Sequence, residues 1–125
     1  MTEFLRIHHA SVVVADSRRA LRFYVYILGM QLDPSRPDLG FPGAWLWVGD
    51  QQIHLLEVAN PDTAEGRPAH VGRDRHTALQ VRGLDGLQHR LETANIPYSR
   101  SRSGRKAIFC RDPDGNGIEL VEAVS

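Results

Sequence analysis

The feature that most constrains this chain is that its second half restates its first. Residues 5–14 close on Ser11-Val12-Val13-Val14, apolar and β-branched, and predict a strand. Asp16 or Ser17 then supplies an N-cap. Ala20, Leu21, Tyr24, Val25 and Leu28 recur at helical spacing up to Gly29, a good C-terminal stop. Short strands are expected around Gln31-Leu32, over 44–48 and over 51–58, with Gly49-Asp50 as the turn between the last two. Residues 59–73 carry Pro, Gly and charge without periodicity and read as a linker or surface loop. The order then resumes with a strand over 76–81 and a helix over 84–94, Asp85 near its start. Strands over 98–102 and 106–110 are joined by Ser103-Gly104, a turn covers 112–116, and a last strand covers 117–121.

Laying His9 on His76 puts Val12 on Leu79 and Val14 on Val81. One residue of slip within the helix sets Leu21 on Leu87, Leu28 on Ala94 and Gly29 on Asn95. The closing strands agree best: Ile53-His54-Leu55-Leu56-Glu57 lies over Ile118-Glu119-Leu120-Val121-Glu122, and only His54 against Glu119 changes chemical class. At 125 residues the chain is long enough to bury a core as a single domain, 1–125. Its two modules are expected at about 5–58 and 74–123, with the linker between them.

The repeat matters for what occupies its matched positions. Side chains alternate between the faces of a strand. In the strand over 76–81, Thr77, Leu79 and Val81 form the apolar face, so His76 lies on the other with Ala78 and Gln80. By the same rule Ala10, Val12 and Val14 pack inward, His9 shares the open face with Ser11 and Val13, and His8 falls on the packed side. In the closing strands Ile53, Leu55, Ile118 and Leu120 are the buried set, leaving His54 and Glu119 opposite. His9, His54, His76 and Glu119 thus share the face away from the helices. Imidazoles with a carboxylate are the ligand set of a divalent first-row metal. The remaining histidines are assigned no such role: His70 in the loop, His89 on the polar side of the second helix, and His8.

Composition narrows the partners. Fifteen basic and fifteen acidic residues cancel, which leaves no basic surplus for nucleic acid or an anionic membrane. The lone Cys110 can form no internal disulfide. No apolar run is long enough to span a bilayer, and Met1-Thr2-Glu3-Phe4 lacks the build of a signal peptide. A soluble cytoplasmic protein is expected.

The stretches HHASVVVADSRRALRFYVYILGM, GDQQIHLLEV, RHTALQV and FCRDPDGNGIELVE resemble the vicinal oxygen chelate superfamily, the glyoxalase, bleomycin-resistance and dioxygenase fold, over nearly the whole chain. The resemblance implies an α+β fold of paired βαβββ modules whose mixed sheets curl into a cup around a divalent metal, nickel, zinc, cobalt, manganese or iron. It also implies a homodimer, since many single-chain members build each site from modules of two chains. The family's metal positions fall on His9, His54, His76 and Glu119. The general likeness is to glyoxalase I, a lyase in which a metal-stabilised enediolate forms while a carboxylate moves a proton between neighbouring carbons; Glu119 is the corresponding base. His54 stands where typical glyoxalase I enzymes carry a glutamate, making the site less negative and removing one possible base.

Other activities share the fold. An extradiol dioxygenase would use iron with His9, His76 and Glu119. A thiol transferase resembling fosfomycin-resistance enzymes would use His9, His54 and Glu119, with Ser11 as a hydroxyl. A non-catalytic, drug-sequestering binder would need no metal. For a substrate anion the candidates are Arg73 and Arg75 beside His76, or the run Arg100, Arg102, Arg105 and Lys106. Tyr98, Trp45 and Trp47 are candidate pocket walls.

Overall fold

The computed structural model describes residues 1–62 and 64–124; position 63 of the predicted linker and position 125 lie outside the described residues. In the first half, β1 (His9–Val14), β2 (Gln31–Asp33), β3 (Gly43–Val48) and β4 (Gln51–Glu57) form a sheet in the order β1-β4-β3-β2. In the second, β5 (His76–Val81), β6 (Ser99–Arg100), β7 (Ala107–Arg111) and β8 (Gly117–Glu122) form another in the order β5-β8-β7-β6. The first strand of each half runs parallel to the last. Such pairing requires a crossover, which a helix supplies in each half. The fold is α+β as expected, but the cup is two separate mixed sheets that do not close on one another.

The repeat is a structural one. Ser11 lies opposite His54 in the first sheet, and Ala78 lies opposite Glu119 in the second. The one-residue slip has a physical counterpart in the first helix, which the apolar spacing had predicted as one regular element. Instead α1 (Ser17–Leu21) passes into a π-helical turn over Arg22–Ile27, whereas α2 (Leu84–Thr93) is uninterrupted. A π-turn, with its i→i+5 bonding, takes in an extra residue without moving the ends of a helix. Those ends do match: Gly29 has φ +84° and its counterpart Asn95 has φ +58°.

The shared final glutamate also has a local cause. Glu57 Oε1 accepts from Ser17 N at 2.7 Å, and the Glu122 carboxylate accepts from Gly83 N and Leu84 N at 3.1 and 3.2 Å. Each closing strand therefore satisfies the orphan N–H groups of its own module's helix. Asp16 adds the expected N-cap, accepting from Arg18 N and Arg19 N.

One core serves both halves. Val14, Phe23, Tyr24, Leu46 and Leu55 from the first join Leu84, Leu91, Ile108 and Leu120 from the second. Arg90 of α2 reaches across to donate to the carbonyls of Ile27 and Leu28 at 2.9 and 3.2 Å, where the first helix runs out of partners.

Strand bounds also need correction, most of all in the first strand and in the pair after the second helix. The first strand begins at His9 rather than at residue 5; residues 1–8 are exposed and outside any sheet, so His8 is not on a packed face. The predicted strand over 98–102 is only Ser99–Arg100, because Ser101 onward turns on its own hydroxyls (Ser101 Oγ to Ser103 Oγ, 2.7 Å). The strand over 106–110 is Ala107–Arg111.

Cys110 lies in this core at 2 % exposure, and burial pushes its thiol up to about 12. Both factors suppress the thiolate. An aromatic disulfide reagent at pH 8 is expected to label it only as the protein unfolds, with the labelled fraction tracking the loss of circular dichroism across a urea series. Rapid labelling in the absence of urea would contradict this packing.

Candidate metal centre

The four predicted ligands lie on the open faces of the two sheets, and the structure gathers them as two pairs. The residues alternating with them, Ala10, Val12, Ile53, Leu55, Leu79, Ile118 and Leu120, all pack into or against the core. In the first sheet His9 and His54 are stacked at 4.1 Å between ring centroids, and Trp45 covers the other face of His54 at 4.7 Å. In the second sheet His76 Nε2 lies 3.2 Å from Glu119 Oε1. Among the described residues no three His, Cys, Asp or Glu side chains gather as a metal-holding group. Each sheet thus carries half of the predicted set.

Each pair has its own support. Gln52 Nε2 donates to Asp33 Oδ2 at 2.8 Å, so its carbonyl end faces His54 and accepts from Nε2–H at 2.7 Å. Asp33 is held below the usual carboxylate range, mainly by the Ser35 hydroxyl and backbone N–H and then by Gln52. His54 is pushed below its ordinary value by burial and by the neighbouring His9, His8 and Arg36.

In the second pair His76 Nδ1 donates to the Asp74 carbonyl at 2.8 Å, which leaves Nε2 with its lone pair toward Glu119. Asp74 is pinned in turn: its carboxylate accepts from Arg67 at 2.7 and 2.9 Å and from Arg111 at 2.9 Å. These partners hold it well below the usual carboxylate range. Opposite His76, Gly117 leaves room for the strand to approach. A Cβ there would lie 2.7 Å from Val71 Cγ1 and 3.0 Å from the Arg75 carbonyl.

Glu119 is 4 % exposed although it lies on the open face. Its Oε2 is buried with no hydrogen-bond partner among the described residues; Arg105 Nη2, at 3.9 Å, is beyond reach. Two acceptors meeting at 3.2 Å beside an orphaned carboxylate oxygen is an arrangement that a cation satisfies, and the donor set suits a divalent first-row ion.

The other predicted candidates divide: Arg73 and Arg102 line one cleft, Trp45 stacks on His54, and others are engaged elsewhere. Arg75 pairs with Asp62 and Lys106 with Asp85. Tyr98 donates to Glu92 and packs against the core, away from both pairs. Trp47 stays half-exposed, and His89 is exposed as expected. No helix of the described residues is long and apolar enough to cross a membrane.

Twin modules, each with its first strand parallel to its last and with His or Glu side chains at matched strand positions, define the class of fold to which this chain belongs. A family model, the Glyoxalase/Bleomycin resistance protein/Dioxygenase superfamily, matches residues 6–120, and the chain belongs to that superfamily. Glyoxylase I 4 of Arabidopsis thaliana is 31% identical over 125 residues, covering 95% of this chain and 71% of the plant protein. A proposed ring-cleaving dioxygenase of Bacillus subtilis (strain 168), MhqA, is 30% identical over 130 residues, covering 92% of this chain and 39% of its own. Among solved structures, a protein assigned to the glyoxalase family from Bacillus anthracis superposes with a TM-score of 0.79 at 25% identity, covering 99% of this chain and 100% of that one.

Proposed function

We propose that this chain is a divalent-metal-dependent enzyme of glyoxalase I type, acting on a small molecule with neighbouring oxygens, each site being completed by a second copy of the chain. The observation that carries the reading is the meeting of His76 and Glu119, two acceptor atoms at 3.2 Å beside a buried oxygen with no partner. His9 and His54 hold the matching strand positions in module one. When that module faces module two of another copy, three imidazoles and one carboxylate converge. A divalent ion held there would act as a Lewis acid toward substrate oxygens.

The chain's own groups supply the rest. Glu119, the single carboxylate of the set, takes a proton from one carbon and returns it to its neighbour. The Asp74 carbonyl holds the His76 ring in the tautomer that ligation needs. Trp45, stacked on His54, shields that ring from water. A lone Cys110, buried and reduced, accords with a cytoplasmic location.

One observation favours a second reading. Gln52 engages His54 Nε2, which leaves His9, His76 and Glu119 as a two-histidine, one-carboxylate set with open positions of the kind iron oxygenases use.

A hybrid dimer tests the reading. His9→Ala and Glu119→Ala chains, each expected to hold no metal alone, are co-expressed with different tags and the doubly tagged species isolated. A site shared between chains leaves one of two intact in the hybrid, so elemental analysis is expected to find about half the wild-type metal content. An empty hybrid would place the site within one chain, and metal retained by either single variant would remove the four-ligand site. Iron in place of nickel, zinc, cobalt or manganese would select the oxygenase.

A further inference from the structure

We propose that the cleft beside the His76–Glu119 pair is an anion subsite, in which His70, Arg73 and Arg102 grip a carboxylate or phosphate group of the substrate. As part of a substrate site it rests on the function proposed above; as an anion site it stands alone.

The cleft is lined by His70, Gly72, Arg73, Ser101, Arg102 and Phe109 and encloses about 420 Å³, within the range of small-molecule sites. Its centre is His70, the N-cap of the short 3₁₀ turn Val71–Arg73 that leads into β5. The Gly72 N–H donates to His70 Nδ1 at 3.0 Å. Nδ1 is therefore the acceptor of the ring, and Nε2 carries the proton. That Nε2 is shielded from solvent and has no partner among the described residues. A buried donor left unpaired is costly, so this N–H is placed for an acceptor.

The ring has been placed with care. A Cβ at Gly72 would lie 2.9 Å from Nδ1 and 3.0 Å from Cε1, so only glycine lets the backbone approach this closely. On its other side His70 stands edge-on to Phe109 at 5.1 Å between centroids.

Arg73 and Arg102 come from separate segments, one before β5 and one after β6, and both line this cleft. Neither is in an ion pair or side-chain hydrogen bond among the described residues, whereas the neighbouring Arg67, Arg75 and Arg111 are each tied to a carboxylate. No acidic residue lines the cleft. Two guanidinium forks and an imidazole N–H offer only donors, the complement of a carboxylate or phosphate.

Phe109 connects this subsite to the candidate metal centre. It is edge-on to His76 as well, at 5.4 Å and 88°, and lies opposite Glu119 in the register of the sheet. A substrate anchored here by its anionic end would reach the His76–Glu119 pair across the width of one aromatic ring. This selects compact acids whose reacting oxygens lie a few atoms from the anion.

The test uses metal-free protein, so that it does not depend on metal binding. Inorganic phosphate and acetate are titrated separately, following the histidine ring protons by NMR, with the His70 signal assigned by its absence from His70→Phe. At least one probe is expected to shift the His70 signal saturably, and the tighter of the two identifies the natural anion. The double variant Arg73→Gln/Arg102→Gln, at exposed positions, is expected to bind that probe at least about tenfold more weakly. The double variant Arg18→Gln/Arg82→Gln, with equal charge loss elsewhere, should bind like wild type. His70→Phe keeps the packing on Phe109 and should also weaken binding; if it fails to fold, the arginine pair still decides.

No saturable shift with either probe, or equal weakening in both double variants, overturns the proposal. Anion binding by a protein that never takes up metal would support the subsite and remove the enzyme reading.

Discussion

Asp112→Ala is expected to destabilise the fold by about 3 kcal/mol, lowering Tm by roughly 10–15 °C. Asp112 is 5 % exposed, and every contact of its carboxylate is as an acceptor. Oδ1 takes the backbone N–H groups of Asp114 and Asn116 at 2.8 and 2.9 Å. Oδ2 takes the Tyr24 hydroxyl and Asn116 Nδ2 at 2.7 and 2.8 Å. Alanine would orphan all four donors at once. The same turn also binds module one elsewhere: Asn116 donates to the Val13 carbonyl at 2.9 Å, while Asp114 accepts from Ala15 N and Arg19 at 3.0 and 2.6 Å. Asp112 is thus the keystone of a clasp between the halves.

The conservative variant separates charge from connectivity. Asp112→Asn must turn an amide against donors on one side or the other, so it should recover less than half of the loss. Tyr24→Phe removes a single donor and should cost about 1 kcal/mol. Burial raises the Asp112 carboxyl above its ordinary value, against the hydrogen bonds from Asn116 and Tyr24. With the folded value above the unfolded one, this group's contribution declines as pH rises from its unfolded pKa through its folded one. The wild type should show that slope in urea midpoints and Asp112→Ala should lack it. Equal midpoints for wild type and Asp112→Ala at pH 7 would mean that the clasp contributes nothing.

Much of this was visible in the sequence, and the reasons are specific. Alternation in β1, β4, β5 and β8 sorted His9, His54, His76 and Glu119 onto one kind of face because each strand has one face packed on the core. The repeat was readable because its punctuation is backbone-determined: Gly29 and Asn95 are residue types that tolerate positive φ. What escaped was non-local. The i,i+4 pattern of Leu21, Tyr24, Val25 and Leu28 is also met by a helix that turns π partway, so the insertion was readable only as a slip between halves. The match of Glu57 with Glu122 is legible as likeness, but their partners at the helix starts lie 40 and 38 or more residues away. His70 looked like an ordinary loop histidine. Its signal, the glycine two positions on that lets Nδ1 be capped, acquires meaning only once Phe109 is beside it.

Glu119→Gln is expected to separate the cost of the candidate site from its use. In the metal-free protein Glu119 sits on a strand paired on both sides, opposite Ala78 in β5 and Phe109 in β7, and is 4 % exposed. One of its oxygens faces the His76 lone pair, and the other has no hydrogen-bond partner among the described residues, with Arg105 Nη2 no nearer than 3.9 Å. A glutamine there would offer an N–H to His76 Nε2 and remove a buried charge. Thermal unfolding in a chelator should therefore find the variant about 1 kcal/mol more stable than wild type, roughly 3–5 °C in Tm. Titration with manganese or nickel should find the opposite, affinity falling by more than about 100-fold, because losing a ligand outright exceeds the loss seen when only its support is removed. Glu119→Asp keeps the charge and withdraws it by one methylene, so it should retain more affinity than glutamine and gain no stability. If glutamine instead destabilised the protein and left metal affinity unchanged, Glu119 would be a partner of His76 in the packing and nothing more. A gain in the empty protein with a loss in the loaded one is what a residue placed for a ligand must give, since its unmet contacts are the ones the ligand fills.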